Sequence, residues 1–455
     1  MPQSSEITAI WPEGTPKPLM PYSPAVRAGD WLFVAGHLAS DYENGLPPEI
    51  TEANPNLVNR MGAESAYLLD NIAKTIAAAG GDFNRDSVRI FQWMVSDKPT
   101  LEEFDAGETW PDLSITPYLD ARNKHITDPR PASTALSVHE LLVKDTTVEV
   151  DVICRLDGAE SVGIPVPAGL PSPLAGYSPA LVRGDYVFLA GEIPVDWVGD
   201  YGQTEHRGPL SALAPEARVN PYLWYGSEIE QQTDYVLGKL DKIAKAAGTT
   251  LDRTIKADVY IAHPSDFAGM DKVWSKYFPE NPPARMVMPY MGFGGKSSRI
   301  EIALQLLTGE SELTIETVHT DLAPTPIGQE PQAVKCGDLL YFSTQMAFAD
   351  DGNLADGMAR RPEFPYYGAP ARDQVRYILK NVAAIAEAGG TDLENIVRRL
   401  CFHDDFAFFQ EAIDEWAAHF PGVKPASSTI GLVPGQMVVP GAKVLLDLIA
   451  YVPQS

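Results

Sequence analysis

Hydrophobic and polar positions follow one another along the chain in a pattern that recurs three times. A short apolar segment meets a Gly-Asp pair and is followed by aromatic and β-branched residues, which is typical of two strands joined by a tight turn. The three stretches are YSPAVRAGDWLFVAGHLASD (22–41), YSPALVRGDYVFLAGEIPVD (177–196) and EPQAVKCGDLLYFSTQMAFAD (330–350). The pattern therefore predicts three copies of one hairpin.

A helical pattern follows each hairpin. Apolar residues spaced three and four apart precede Gly80, Gly248 and Gly389, which is typical of an amphipathic helix capped by glycine. An apolar strand with a polar exit comes next, and then a second helix, which is clear in copies two and three but interrupted by Pro and Gly in copy one. Two further apolar stretches end each copy. The sequence thus predicts an α+β protein with the order β-β-α-β-α-β-β three times.

The length of the chain agrees with this repeat. At 455 residues it has room for about three domains, and we predict boundaries at 1–160, 161–312 and 313–455. Two proline-rich stretches, 163–176 and 321–331, are interpreted as the connections between copies, because proline favours extended spacers.

The net charge of the chain bears on which macromolecules it can bind. The formal net charge is -26, from 61 acidic and 35 basic side chains. A surface of this sign repels phosphate backbones and anionic lipid headgroups, so we expect neither a nucleic acid nor a membrane as partner. No run of about 20 apolar residues predicts a spanning helix, and the first residues do not resemble a signal peptide.

Cysteine and histidine spacing gives no sign of a metal site. Cys154, Cys336 and Cys401 are scattered and odd in number, which favours reduced, packed thiols in a cytoplasmic protein. No phosphate-binding loop or dinucleotide fingerprint occurs, and GFGGK in copy two precedes a predicted strand rather than a helix. We expect no metal and no cofactor.

The ordered landmarks together resemble the RidA/YjgF family. They are the hairpin SPAVRAGDWLFVAGH, the helix ending in AAG, the strand leading to HPSDF, and PPARM followed by RIEIAL. The resemblance implies a chorismate-mutase-like α+β fold that assembles as a trimer with a ligand cleft at each subunit boundary. Three fused copies would then form a single-chain pseudo-trimer with a central β-barrel-like core and outer helices. The sequence leaves open whether such pseudo-trimers pair further.

The same resemblance implies an activity. Many members of the family hydrolyse imines or enamines derived from amino acids, so we expect a hydrolytic deaminase. Its substrate would be a small carboxylate-bearing molecule, 2-aminoacrylate-like or 2-aminomuconate-like, and its products a keto or enol acid and ammonia. Two other functions stay open: a non-catalytic metabolite-binding or scaffold protein with degenerate clefts, and a ribonuclease, which the negative charge disfavours.

Family site residues are carried over position by position. An arginine after Pro-Ala binds the substrate carboxylate in the family, and copy two has it as Arg285. The matching residues are Ser133 in copy one and Ser427 in copy three. A guanidinium suits this role because it offers two parallel donors to a carboxylate and stays charged.

A glutamate on the last strand is expected to position or activate water. It is matched by Glu149 and Glu301, whereas copy three has Leu445, with Asp447 two positions further on. A carboxyl group in a partly buried cleft can have a pKa near neutrality and so relay protons. An exposed strand position is the alternative interpretation for Glu149 and Asp447.

The hairpins would supply further ligand contacts. The family tyrosine is matched by Tyr22 and Tyr177 and is compared with Gln329 in copy three. The backbone or hydroxyl groups after the second strand would come from Gly36, Gly191, His37 and Ser343. The sequence does not say whether Arg285 works with the hairpin of copy one or of copy three.

Overall fold

The computed structural model describes residues 7–51, 59–96, 115–173, 175–196, 213–220, 222, 226–292, 297–359 and 368–453. In these ranges the chain folds into three α+β units, each built on one mixed sheet, as the repeated pattern predicts. We call them repeats one, two and three, with the predicted boundaries. Of the helices in the described ranges, none has both the length and the apolar character needed to cross a membrane.

Equivalent elements follow one another in the three repeats. Repeat one contains β1 (Thr8–Ile10), β2 (Ala25–Ala28), β3 (Trp31–Leu38), α1 (Arg60–Ala78), β4 (Ser87–Val95), α2 (Thr116–Arg122), β5 (Ala132–Val138), β6 (Glu140–Leu141) and β7 (Val148–Arg155). Repeat two contains β8 (Ser161–Ile164), β9 (Ala180–Arg183), β10 (Tyr186–Glu192), α3 (Glu228–Ala246), β11 (Thr254–Ile261), α4 (Phe267–Tyr277), β12 (Ala284–Pro289) and β13 (Ile300–Leu307). Repeat three contains β14 (Ile315–Val318), β15 (Ala333–Cys336), β16 (Leu339–Phe342), α5 (Pro370–Ala388), β17 (Ile396–His403), α6 (Phe409–Ala418), β18 (Ala426–Gly431) and β19 (Val444–Tyr451).

Short helical turns supplement these elements. They span Pro48–Thr51, Phe83–Asp86, Pro215–Ala217, Leu251–Arg253, Pro264–Asp266, Leu393–Asn395 and Phe406–Phe408. Part of the predicted second helix of copy one and most of the insertion predicted in copy two lie outside the described residues.

The three sheets share one strand order. It is β1-β2-β3-β7-β4-β5 in repeat one and β8-β9-β10-β13-β11-β12 in repeat two; repeat three has β14-β15-β16-β19-β17-β18, with β6 of repeat one added at the edge. The middle strand after the first helix pairs in parallel with the strand after the second helix, and the other pairs are antiparallel. At the hairpin turns Gly29, Gly184 and Gly337 adopt φ values between 55° and 59°, which side chains rarely tolerate.

Two sequence expectations need correction. Each sheet begins with an edge strand, β1, β8 or β14, that was not predicted, and β8 ends inside the stretch 163–176 that was interpreted as a linker. These strands are three or four residues long and half exposed, so they carry no clear hydrophobic period. The expected β-barrel-like core is wrong as stated, because the described strands form three separate sheets and none of them closes.

The repeats contact one another in a cycle. β5 of repeat one packs against β10 of repeat two, β12 of repeat two against β16 of repeat three, and β18 of repeat three against β3 of repeat one. One hydrophobic cluster contains side chains from all three sheets. At its centre the ring of Trp93 meets Phe402 and Tyr260 edge to face, with ring centroids 5.6 Å and 6.3 Å apart.

Buried ion pairs join the same three units. Each repeat places a cation at the third position of its middle strand, and each cation reaches a carboxylate of another repeat. The pairs are Arg89–Asp258 at 3.1 Å, Arg398–Asp151 at 2.9 Å, and Lys256–Asp447. Every partner is at least nine-tenths buried, so loss of one member leaves an uncompensated charge in the interior.

The acids of this ion-pair cycle differ in position. Asp151 and Asp447 lie on the last strand of their repeats, but the equivalent residue of repeat two is Ala303. Its cross-strand partner is Asp258, on the middle strand. Repeat two therefore keeps the carboxylate in the same region of space by moving it to the neighbouring strand.

Candidate active site

A cleft forms wherever the second hairpin strand of one repeat faces the strand after the second helix of another. We name them by their repeats: cleft 1/3 between β3 and β18, cleft 2/1 between β10 and β5, and cleft 3/2 between β16 and β12. In repeats one and two the hairpin strand bulges, as the ladder register shifts between Val34 and His37 and between Leu189 and Glu192. The bulges place Gly36 and Gly191 at the cleft.

Gly36 and Glu149 lie in direct contact in cleft 1/3. A Cβ on Gly36 would overlap Oε1 of Glu149, and it would also come within 2.9 Å of Oγ of Ser428 from repeat three. Only glycine leaves space for the carboxyl group here. The predicted pair is therefore brought together at an inter-repeat boundary.

The surroundings of Glu149 favour the neutral form of its carboxyl group. Its side chain is buried, and burial together with the nearby Asp151 carboxylate raises its pKa well above the usual range. A hydrogen bond from the backbone N–H of Thr429 opposes this shift only in part. Oε2 has no hydrogen-bond partner among the described residues. An unpaired buried carboxyl oxygen facing a cleft is a group that can exchange a proton with a ligand.

Tyr22 and His37 line a small adjoining cavity, together with Gly36 and Tyr42. The hydroxyl of Tyr22 donates to that of Tyr42 at 3.1 Å, and burial raises the pKa of Tyr22, so it stays protonated. Tyr42 itself adopts a left-handed φ of 60°, a strained conformation often found at binding sites.

The imidazole of His37 is neutral. Burial lowers its pKa to about 4, although its hydrogen bond to the carbonyl of Ala35 acts in the opposite direction. Because that carbonyl is 2.8 Å from Nδ1, Nδ1 donates, and Nε2 faces the hydroxyl of Thr75 at 3.2 Å. The ring therefore orients the cavity wall rather than supplying a charge.

Cleft 2/1 repeats the glutamate geometry. A Cβ on Gly191 would overlap Oε1 of Glu301 and lie 3.0 Å from Oγ1 of Thr134 in repeat one. Burial and the neighbouring Glu192 raise the pKa of Glu301 to about 8, with Arg89 acting in the opposite direction. The predicted Tyr177 is partly buried near these acids, and desolvation, followed by the charges of Glu192 and Glu301, raises its pKa.

Cleft 3/2 holds Arg285, and its partners are acidic. Nε donates to Glu330 and Nη2 to Asp271, both at 2.6 Å, and Nη1 lies 3.6 Å from Sδ of Met270. The arginine side chain is fully buried, with its guanidinium 4.9 Å from the ring of Trp274. The predicted carboxylate-binding arginine thus already has two carboxylate partners within the protein, which neutralise its charge.

Arg285, on β12 of repeat two, packs against the hairpin of repeat three rather than that of repeat one. Its backbone N–H donates to Oγ of Ser343 at 3.1 Å, and its carbonyl accepts from Thr344 at 2.9 Å. Glu301 contacts repeat one in a different cleft. The structure therefore answers the question that the sequence left open, and it does not bring Arg285 and Glu301 together.

The tyrosine position of copy three also needs correction. Strand register aligns Ala333 with Ala25, so Glu330, not Gln329, occupies the place of Tyr22. Sequence comparison chose the wrong neighbour, since the segments before the hairpins share few residues. The signal that could have found Glu330 was counting back from the shared Gly-Asp turn.

Cys154, Cys336 and Cys401 are free and buried. Among the residues whose positions the structure gives, no three His, Cys, Asp or Glu side chains gather closely enough to hold a metal ion.

Comparison with known proteins places the chain in a family. The model of the endoribonuclease L-PSP family matches residues 13–156, 169–305 and 320–452. A RutC family protein of Pyrococcus horikoshii is 32% identical over 118 residues, which are 26% of this chain and 76% of that protein. A 2-iminobutanoate/2-iminopropanoate deaminase of Dermatophagoides farinae is 32% identical over 115 residues, 25% of this chain and 81% of that protein.

A solved structure shows the same likeness. It is a protein of the conserved Rid family from Yersinia pestis, 28% identical, and the match covers 30% of this chain and 100% of that one with a TM-score of 0.25. Each relative therefore corresponds to about one repeat. The chain belongs to the endoribonuclease L-PSP family, the RidA/YjgF family that its motifs resemble, and it contains three tandem copies of the family unit.

Proposed function

We propose that the protein is a hydrolytic deaminase of small imines or enamines that carry a carboxylate, and that cleft 1/3 is its reaction site. The observation that carries the proposal is the buried Glu149, which packs on Gly36 at the boundary of two repeats and has one oxygen without a partner among the described residues. Burial raises the pKa of this carboxyl group. The naming of a relative as a 2-iminobutanoate/2-iminopropanoate deaminase supports the reaction class. 2-Aminomuconate-like enamines belong to the same chemical class.

Glu149 can carry every proton of the reaction. An enamine first tautomerises to the imine. Glu149 then protonates the imine nitrogen, and its carboxylate accepts a proton from water as the water oxygen bonds to the imine carbon. The regained proton passes to the amino nitrogen of the carbinolamine. As the C–N bond breaks, ammonia leaves, the remaining hydroxyl gives its proton to Glu149, and the keto acid forms.

The cavity wall would position the substrate. The Tyr22 hydroxyl and the backbone around Gly36 and His37 offer hydrogen bonds without adding charge. Holding the electrophile and the water together is a proximity effect that contributes several kcal/mol in favourable cases, of order 7 or more. Glu301 with Gly191 and Tyr177 forms a candidate second site in cleft 2/1.

A pseudo-trimeric arrangement of the repeats is part of the proposal. It is supported by the cyclic contacts of equivalent strands and by the cycle of buried ion pairs. In such an arrangement two repeats complete each cleft, as subunit pairs do in a cyclic oligomer. A fused chain is free to keep one cleft reactive and to let another drift, which the neutralised Arg285 illustrates.

The test is release of ammonia and keto acid from imines made in place. 2-Iminobutanoate is generated by an amino-acid oxidase in the presence of semicarbazide, and the protein should divert imine from semicarbazone to 2-oxobutanoate. A 2-aminomuconate-like enamine is tested in parallel. No acceleration of either, with carboxylate binding intact, would make the protein a metabolite-binding module; RNA cleavage that survives repurification would make it a ribonuclease.

A further inference from the structure

Repeats two and three place a guanidinium on neighbouring strands at positions that are register partners. Ala257 pairs with Arg285 in repeat two, and Arg399 pairs with Ser427 in repeat three. In repeat two the arginine lies on the strand after the second helix and the small residue on the middle strand, and in repeat three the two are reversed. Since paired residues of parallel strands project to the same face of a sheet, the two guanidinium groups can reach the same region from adjacent strands.

Both arginines stack on equivalent tryptophans. The guanidinium carbon of Arg285 is 4.9 Å from the Trp274 ring, and that of Arg399 is 4.6 Å from the Trp416 ring. Each tryptophan lies in the second helix of its repeat and packs on a phenylalanine four residues later. The stacking holds the guanidinium plane and leaves its edge for hydrogen bonds.

Their counter-charges differ. Arg285 forms ion pairs with Glu330 and Asp271. In the cleft of Arg399 the positions equivalent to these two acids are occupied by Tyr22 and Ile413, which carry no charge. Arg399 donates instead to two hydroxyls, Oγ of Ser427 at 2.7 Å and, at the limit of hydrogen-bond distance, Oγ1 of Thr429 at 3.4 Å. It forms no ion pair with any residue that the structure describes.

Such a guanidinium favours an anion. Its side chain is buried, with an exposed fraction of 3%, and burial lowers its pKa. A buried charge without a counter-charge destabilises the fold, and a bound carboxylate would relieve that penalty. Thr429 links it to the reaction site, because its hydroxyl faces Arg399 while its backbone N–H donates to Glu149.

We propose that Arg399 binds the substrate carboxylate in cleft 1/3, in the role that position 285 would serve in cleft 3/2. The inference rests on the proposed deaminase function for its substrate class, but it concerns binding and is tested by binding. Cleft 2/1 has no equivalent, since Ile90 and Ser133 occupy its two register-paired positions.

The first experiment is titration calorimetry with 2-oxobutanoate, the keto acid product of 2-iminobutanoate hydrolysis. Arg399→Lys keeps the charge but loses the paired donors, so Kd should rise about tenfold or more. Arg285→Lys is the matched control, buried and stacked in the same way, and should leave Kd unchanged. Wild-type binding that is absent, or equal in both variants, overturns the inference.

A second pair of variants does not require altering the arginine. Tyr22→Glu installs at cleft 1/3 the carboxylate that neutralises Arg285, and should abolish 2-oxobutanoate binding. Tyr22→Gln removes the same hydroxyl without adding a charge, and should weaken binding much less. Circular dichroism verifies folding of each variant. Binding that depends on Arg399 without imine turnover would support this inference and defeat the proposed deaminase; turnover with a Kd unaffected by Arg399→Lys and Tyr22→Glu would do the reverse.

Discussion

The carboxyl group of Glu149 packs so closely on Gly36 that a Cβ at that residue would overlap Oε1. The same relationship joins Gly191 and Glu301 in repeat two. In repeat three both partners change together, to Thr344 and Leu445, and the Thr344 hydroxyl accepts from the backbone N–H of Val287 instead. The glycine and the glutamate therefore occur together: repeats one and two have both residues, and repeat three has neither.

Gly36→Ala should push the Glu149 carboxyl out of place and lower kcat/KM for imine hydrolysis by about 100-fold, because misplacement by about 1 Å costs this much in rate. Gly422→Ala is the control, since a Cβ there meets no atom within 4 Å. Steady-state kinetics of both variants checks the prediction. Unchanged kinetics in Gly36→Ala would separate the cleft from the reaction.

Replacing Glu149 and Glu301 in turn by glutamine distinguishes which of the two acts as the general acid and base. Glu149→Gln should lower kcat by about 100-fold or more, the usual contribution of a general acid and base. Glu301→Gln, an equally conservative change in cleft 2/1, should leave most of the activity. The opposite ranking would move the reaction to cleft 2/1.

The folded-state pKa of about 8 for Glu301 predicts a pH dependence of stability. Because the folded state then holds a proton that the unfolded chain has released, stability decreases as pH rises between about 4.5 and 8, by up to about 1.4 kcal/mol per pH unit. Urea unfolding of wild type and Glu301→Gln at pH values across this range should show the free energy of unfolding of the wild type falling more steeply. If the free energy of unfolding changed with pH equally in both proteins, the raised pKa of Glu301 would be contradicted.

Arg285 should matter for stability and not for turnover. Arg285→Leu leaves the buried Glu330 without its cation and should cost about 3–5 kcal/mol of unfolding free energy. The double variant with Glu330→Leu removes both charges and should recover much of that loss. Chemical denaturation measures both, and loss of imine turnover in the still-folded double variant would restore Arg285 to the mechanism.

In repeat two the buried carboxylate of the ion-pair cycle lies on the middle strand, as Asp258, and it can be moved by mutation to the last strand, where the other repeats have it. Asp258→Ala leaves the buried Arg89 without its carboxylate partner and should lower the free energy of unfolding by about 3–5 kcal/mol. Adding Ala303→Asp on the cross-strand partner restores the arrangement of the other repeats and should recover a large part of the loss. Guanidinium unfolding of the two variants checks this; an Ala303→Asp change that adds no stability would show that the two positions are not equivalent.

Much of the fold was predictable from local pattern. The hairpins, the amphipathic helices and the order of elements along the chain follow from side-chain period and turn residues, which act over a few positions. The edge strands β1, β8 and β14 were missed because short half-exposed strands have no such period. The candidate residues Glu149, Gly36 and Tyr22 could be named from the sequence because the motifs fix their positions within one repeat.

The sequence by itself determined three family units and which of them retain the glutamate, the glycine and the tyrosine. Only the tertiary structure decided which groups share a cleft, because each cleft joins residues from two repeats that are far apart in the chain. It separated Arg285 from Glu301, paired Arg285 with Glu330, and brought Arg399 to the side of cleft 1/3. Charge neutralisation depends on distances in space, and the order of residues along the chain does not specify them.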